Sequence, residues 1–172
     1  MRLFVALHLS RGAEKALIRA QDVLRRHGHG NFTRPENLHL TLAFIGHTQR
    51  IGDAIAALSQ LSASAFTLTL DGLGQFGSDL YWAGIRPSPQ LQSLQLQVVT
   101  LLEEEGFSFE DRVFQPHLTL CRRFRSESSV DVEAVERALG GILCPIRRVS
   151  LMESLQENGK TVYRERYGKA LH

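Results

Sequence analysis

Only two cysteines occur in the chain, Cys121 and Cys144, and no Cys-x-x-Cys pair is present. That excludes a disulfide-stapled scaffold and a thiolate zinc site. Both thiols read as buried or incidental, in keeping with a reducing cytoplasm. An excess of either charge is also missing: 20 Lys and Arg stand against 18 Asp and Glu, a formal net charge of +2. Proteins that coat long nucleic acid carry a strong basic excess, so that class is excluded, while a local basic site for a small anionic group stays open. No apolar stretch approaches a membrane span. The opening Met1-Arg2-Leu3-Phe4-Val5-Ala6-Leu7-His8-Leu9 is a short apolar run without the cleavage site of a signal peptide. A cytoplasmic protein with no membrane association is expected. What the chain does have is 43% hydrophobic residues in 172, enough for one domain with a real core and too many for a disordered chain.

Hydrophobic patterning predicts mixed helix and strand. The run Leu3-Phe4-Val5-Ala6-Leu7 predicts a strand over 3–9, buried on both faces. Ser10 suits the N-cap of a helix over about 11–27, where Ala13, Ala16, Leu17, Ala20, Val23 and Leu24 recur at helical spacing and Gly28-His29-Gly30-Asn31 ends it. Further strands are expected at about 38–45, 66–70, 80–85 and 117–122, and helices at about 50–62, 89–105 and 131–139. Two last strands, 146–155 and 161–167, flank Glu157-Asn158-Gly159-Lys160, where Asn-Gly between extended runs marks a hairpin. The stretch Gly72-Leu73-Gly74-Gln75-Phe76-Gly77 matches GxGxxG on paper, but an expected strand follows it rather than a helix. It therefore reads as a glycine-rich connection and not as a dinucleotide loop.

One tetrapeptide occurs twice, as His39-Leu40-Thr41-Leu42 and His117-Leu118-Thr119-Leu120, nearly half the chain apart. On a strand, alternate side chains share a face. His39 and Thr41 then point one way and Leu38, Leu40 and Leu42 the other; the same parity joins His117 to Thr119, opposite Leu118 and Leu120. The leucine face can pack on helices, which leaves the His/Thr face for a ligand. A single His-x-Thr on a strand is ordinarily structural, whereas two identical copies of the same parity point to paired chemistry. Two imidazoles and two hydroxyls around one phosphorus suit attack on a phosphodiester: one neutral imidazole takes a proton from water, one imidazolium gives a proton to the leaving oxygen, and the hydroxyls bind phosphate oxygens. The expected fold is α+β, with two pseudo-symmetric lobes of antiparallel sheet plus helices around a central cleft, in a single domain over 1–172 whose lobes each contribute one His-x-Thr-x strand.

Two His-x-Thr-x motifs are the signature of the 2H phosphoesterase superfamily. Their surroundings, Arg34-Pro35-Glu36-Asn37-Leu38-His39-Leu40-Thr41-Leu42-Ala43-Phe44-Ile45-Gly46 and Phe114-Gln115-Pro116-His117-Leu118-Thr119-Leu120-Cys121-Arg122, resemble the bacterial and archaeal RNA 2′,3′-cyclic phosphodiesterases, first known as 2′-5′ RNA ligases. The opening Arg2–Leu7 and Leu70-Asp71-Gly72-Leu73-Gly74 are also similar to that family. The resemblance implies opening of an RNA 2′,3′-cyclic phosphate to a 2′-phosphate, with 2′-5′ joining of RNA ends as a related activity. It implies that His39 is the proton donor to the leaving 3′ oxygen, that His117 is the acceptor that activates water, and that Thr41, Thr119 and Arg122 bind phosphate. It implies no metal and no organic cofactor, RNA ends as partners, and a monomer.

Strict strand parity puts Arg123, rather than Arg122, on the face of His117 and Thr119, so either the strand bends before 122 or Arg123 reaches the phosphate. Arg34 is open to two roles, binding the RNA backbone or fixing a loop. Phe76, Tyr81 and Trp82 read as core or rim packing, with base stacking the other use of such rings. His8, His27, His29, His47 and His172 lack a repeated context; His27 and His29 read as a solvated helix end and loop. Competing readings are a 2H phosphoesterase for a small cyclic nucleotide and a non-catalytic RNA-end binding module.

Overall fold

The computed structural model describes all 172 residues. Nine strands and four helices follow one another as β1 (Arg2–His8), α1 (Arg11–Arg25), β2 (Gly28–Phe32), β3 (His39–His47), α2 (Ile51–Ser59), β4 (Phe66–Phe76), β5 (Leu80–Ile85), α3 (Pro89–Glu104), β6 (Leu118–Ser126), α4 (Val132–Leu139), β7 (Leu143–Ile146), β8 (Arg148–Glu157) and β9 (Lys160–Ala170), with a 3-10 turn at Pro35–Asn37 before β3. They form two antiparallel sheets, ordered β3-β1-β8-β9 and β2-β6-β5-β4-β7. Helices α2 and α3 pack with the first sheet, and α1 and α4 with the second. No helix is long and apolar enough to cross a membrane.

The expected α+β architecture is present, and the first sheet shows why β1 is apolar throughout. It lies between β3 and β8, and Leu3 to Leu7 are all buried. Leu3, Val5 and Leu7 join the main core, while Phe4 and Ala6 pack with Met152 and Tyr163 in a small second cluster on the other face. The sheets are not the two halves of the sequence. β8 returns from the C-terminal half to pair with β1 and carries β9 on its other edge, and β2 crosses from the N-terminal half to pair with β6.

Several sequence expectations need correction. Residues 28–32 form a strand, not a loop, because Gly28 and Gly30 let β2 lie against β6: a Cβ on Gly28 would stand 2.2 Å from the Arg125 carbonyl oxygen, and one on Gly30 2.8 Å from Cys121 Sγ. The glycine-rich stretch is not a connection but the second half of β4, with a bulge between Leu70 and Leu73. Gly74 is needed there because Trp82 lies where its Cβ would be, 2.1 Å away. The short strand β7 was not expected; it holds Pro145, which an edge strand tolerates. The Asn158-Gly159 hairpin is as expected, with φ of 52° and 75°, the left-handed pair that a two-residue hairpin turn requires.

Both motif strands carry the same irregularity. In β3 the pairing with β1 slips so that Val5 faces Ala43 and Ala6 faces Thr41, leaving Leu42 extra. In β6 the pairing with β5 slips so that Tyr81 faces Cys121 and Trp82 faces Thr119, leaving Leu120 extra. The consequence is one burial sequence in both strands. His39 and His117 are half-buried, Leu40 and Leu118 buried, Thr41 and Thr119 half-buried, Leu42-Ala43 and Leu120-Cys121 buried, and Phe44 and Arg122 exposed. A bulge reverses the parity of everything after it. The strand therefore bends before Arg122 and turns its side chain to the face of His117 and Thr119, where Arg122 and not Arg123 lines the cleft. The β6 bulge is held from behind by α1. Buried Gln21 donates from Nε2 to the carbonyls of Leu120 (3.0 Å) and Thr33 (2.8 Å), and the Thr33 N–H also donates to the Leu120 carbonyl (3.0 Å).

Candidate active site

The leucines of both motifs lie in the core, with Leu40, Leu118 and Leu120 fully buried. Their alternation with His and Thr leaves the polar face over a cleft of about 100 Å³. Eight residues line it: Thr33, Asn37, His39, Thr41, His117, Thr119, Arg122 and Tyr163. The structure thus brings together all five residues expected from the sequence and leaves Arg123 out. A larger hollow of about 680 Å³ between the 62–66 connection and α3 holds none of them.

Both imidazoles are held in the same way. His39 Nδ1 lies 2.7 Å from the Asn37 carbonyl oxygen, and His117 Nδ1 lies 2.8 Å from that of Gln115, in each case two residues upstream. A carbonyl only accepts, so each Nδ1 carries the hydrogen, and Nε2 is the nitrogen left for chemistry. At His39 that nitrogen lies 2.9 Å from Thr41 Oγ1; His117 Nε2 has no hydrogen-bond partner in the protein. Aromatic rings set the planes. Phe4 lies 5.0 Å and Tyr163 5.2 Å from the His39 ring, the latter edge-on, while Phe76 (5.0 Å) and Trp82 (6.0 Å) stand edge-on to His117.

The two histidines differ in surroundings. Burial pushes the His39 pKa below its ordinary 6.5; the Asn37 carbonyl opposes this, and the positive charges of His8, Arg122 and His117 add to it. His8, set aside for want of a repeated context, is the cross-strand partner of His39 in the β1–β3 register. Arg34 acts as a loop fixer: its guanidinium and the Asn37 side-chain amide both donate to the Thr161 carbonyl, tying the turn before β3 to the start of β9. His27 lies in the turn that ends α1, as expected, whereas His29 is not in a loop. His29 is in β2 beside Glu127 at 3.0 Å, and His27 Nδ1 meets Ser128 Oγ at 2.9 Å. Both cysteines are buried and free, and burial pushes the Cys121 thiol up to about 11, so it stays protonated and unreactive. No group of three or more His, Cys, Asp or Glu side chains is arranged to hold a metal ion.

Thr33, Asn37 and Tyr163 were missed from the sequence. Asn37 and Thr33 precede the first motif by a few residues, so nearness to it was the one available signal. Tyr163 comes from the C-terminal hairpin and gave none.

Two half-buried imidazoles with oriented nitrogens, two hydroxyls and a guanidinium border one small polar cleft, an arrangement chemically suited to proton transfer at an oxyanion. The 2′-5′ RNA ligase superfamily model matches residues 12–158. An RNA 2′,3′-cyclic phosphodiesterase of Thermus thermophilus is 30% identical over 168 residues, covering 90% of this chain and 82% of that protein. One of Escherichia coli is 35% identical over 130 residues, 70% of this chain and 71% of that protein. One of Geobacillus stearothermophilus is 31% identical over 142 residues, 77% of this chain, and the match spans 45% of that longer protein. Among solved structures, E. coli LigT complexed with 3′-AMP superposes with a TM-score of 0.82 at 26% identity, covering 99% of this chain and 97% of that one. TT0787 of T. thermophilus does so with a TM-score of 0.84 at 25% identity, covering 99% and 98%. The resemblance read from the paired motifs is borne out, and the chain belongs to the 2′-5′ RNA ligase superfamily.

Proposed function

We propose that the chain hydrolyses RNA 2′,3′-cyclic phosphate ends to 2′-phosphomonoesters by metal-independent acid–base catalysis. The observation that carries this is the pair of imidazoles, each with Nδ1–H bound to a backbone carbonyl, bordering one cleft. His117 Nε2 takes the proton of a water whose oxygen attacks phosphorus. The bond from phosphorus to O3′ breaks, and protonated His39 gives its Nε2 proton to that oxygen, leaving a 3′-hydroxyl and a 2′-phosphate. Thr41, Thr119 and Arg122 bind the non-bridging oxygens, where charge accumulates. An incoming anion also favours the charged imidazolium and offsets the desolvation that lowers the His39 pKa. Joining RNA ends through a 2′-5′ bond is the same displacement with a 5′-hydroxyl in place of water: His117 takes the hydroxyl proton, the bond from phosphorus to O3′ breaks, and His39 protonates O3′. One chain supplies every residue of the cleft, and on this reading it works as a single domain over 1–172 and as a monomer.

The test is product analysis on an oligonucleotide ending in a 2′,3′-cyclic phosphate, with excess chelator present. A 2′-phosphate product at an undiminished rate is expected. Tight binding without turnover would replace the enzyme by an RNA-end binding module. Turnover on cyclic mononucleotides alone would make the substrate a small one.

A further inference from the structure

The second sheet carries a row of polar side chains that the chemistry above does not use. In the β2–β6 ladder Asn31 pairs with Arg122 and His29 with Arg125, so β2 advances two residues while β6 advances three. The extra residue is Arg123, whose φ of 54° is a left-handed value that non-glycine residues seldom adopt. Without it Arg122 and Arg125 would lie on opposite faces. With it Phe124 is buried in the core, and Arg125 returns to the cleft face. Along β2 the same face shows Asn31 and His29, and Thr33, one residue past the strand, lines the cleft. The rungs Asn31/Arg122 and His29/Arg125 follow one another at roughly 7 Å along the strand, close to the repeat of phosphates in an extended single strand.

The charge distribution sets this row apart from the β8–β9 hairpin. On the first sheet, Arg148 is paired with Glu165, Arg164 with Glu157 and Arg166 with Glu153. Arg122, Arg123 and Arg125 are exposed, and none is paired with a carboxylate or hydrogen-bonded through its side chain to another residue. The one carboxylate on the row, Glu127, is taken by His29, in an exposed pair. Three mutually repelling guanidinium groups in four residues are unfavourable for folding and complementary to a polyanion.

We infer that the RNA strand 5′ of the cyclic phosphate lies along the β2–β6 face, with Arg122 at the reacting phosphate and Arg125 and Asn31 on the phosphate that precedes it. The inference rests on the proposed RNA-end substrate and adds the path of its body. The contacts are to backbone rather than bases, so they favour oligonucleotides over mononucleotides without selecting sequence.

Arg125→Ala and Arg125→Glu, with folding checked by thermal melting, are compared with the unaltered protein on two substrates: a 2′,3′-cyclic mononucleotide and an oligonucleotide of about ten residues ending in the same group. For the oligonucleotide, kcat/KM falls roughly tenfold in Arg125→Ala and further in Arg125→Glu, through KM, and the slope of log kcat/KM against log salt drops by about one. For the mononucleotide both variants match the unaltered protein. An unchanged oligonucleotide-to-mononucleotide ratio and salt slope would overturn the inference. Fluorescence anisotropy of a labelled 2′-phosphorylated oligonucleotide reads the same surface without turnover. A salt-sensitive loss of affinity in Arg125→Glu supports the path even if hydrolysis is absent, and equal affinities reject it even if hydrolysis is present.

Discussion

At the scale of single residues, two histidines of one motif occupy unlike environments, and the difference has measurable consequences. On the proposed mechanism each imidazole contributes one proton transfer, typically about 10²–10⁴-fold in rate. His39→Ala and His117→Ala are each expected to lower kcat within that range. The double variant falls little further, because a proton donor without its acceptor does not complete the step. Steady-state kinetics of the three variants check this, and full activity in either single variant removes the mechanism. The titration of His39 gives a second expectation. Burial holds its folded pKa below 6.5, so the folded state binds fewer protons than the unfolded chain in that range. The His39 contribution to stability is therefore complete above pH 6.5 and is lost as pH falls from there toward the folded pKa. Proton NMR should show a His39 midpoint below 6.5 in the free protein, rising when inorganic phosphate occupies the cleft. A midpoint at or above 6.5 without phosphate would contradict the desolvated setting.

At the scale of elements, the bulges in β3 and β6 determine what the cleft contains. The sequence repeat is visible only over four residues, yet the shared burial sequence runs to Phe44 and Arg122, so a hydrophobic ring in the first copy stands where the second has a guanidinium. Strand alternation read from sequence placed His39, Thr41, His117 and Thr119 correctly, because buried leucines enforce that parity. It was ambiguous at Arg122, because a bulge is a property of two paired strands and leaves no mark in one. β2 was illegible for a related reason: Gly28-His29-Gly30-Asn31 has no hydrophobic pattern, and its strand character comes from partners on β6. Gln21 gives a test of this level. It is the sole buried polar side chain of α1 and satisfies two carbonyls, one at the β6 bulge. In Gln21→Leu the Leu120 carbonyl keeps the Thr33 N–H while the Thr33 carbonyl loses its side-chain donor, at a cost of about 1–3 kcal/mol. Urea denaturation should show that loss, together with a raised KM as the strand presenting Arg122 loosens. A variant equal to the parent in both would show that the bulge is held without α1.

At the scale of the whole molecule, the proposed mechanism requires two sheets to keep two histidines in register, and the core indicates how they do so. One cluster of 35 buried residues includes Leu3, Leu40 and Leu151 from the first sheet and Leu68, Leu118 and Leu120 from the second, along with residues of all four helices. Apolar burial shared in this way couples the lobes, since neither sheet can expose its inner face without uncovering the other. The chain crossings act in the same direction: β2 carries the N-terminal half into the second sheet, and β8 and β9 carry the C-terminal half into the first. Two lobes that unfold as one are expected to give a single transition. The protein offers a direct probe, because its one tryptophan, Trp82, sits in β5 of the second sheet, whereas far-ultraviolet circular dichroism reports helices and strands of both. Tryptophan fluorescence and circular dichroism should give coincident urea midpoints, and Leu40→Ala, a first-sheet change costing about 2–5 kcal/mol, should lower both by the same amount. If the fluorescence midpoint stays in place while the dichroism midpoint falls, the lobes are separate cooperative units, and the alignment of His39 with His117 depends on contacts at the cleft instead of on a common core.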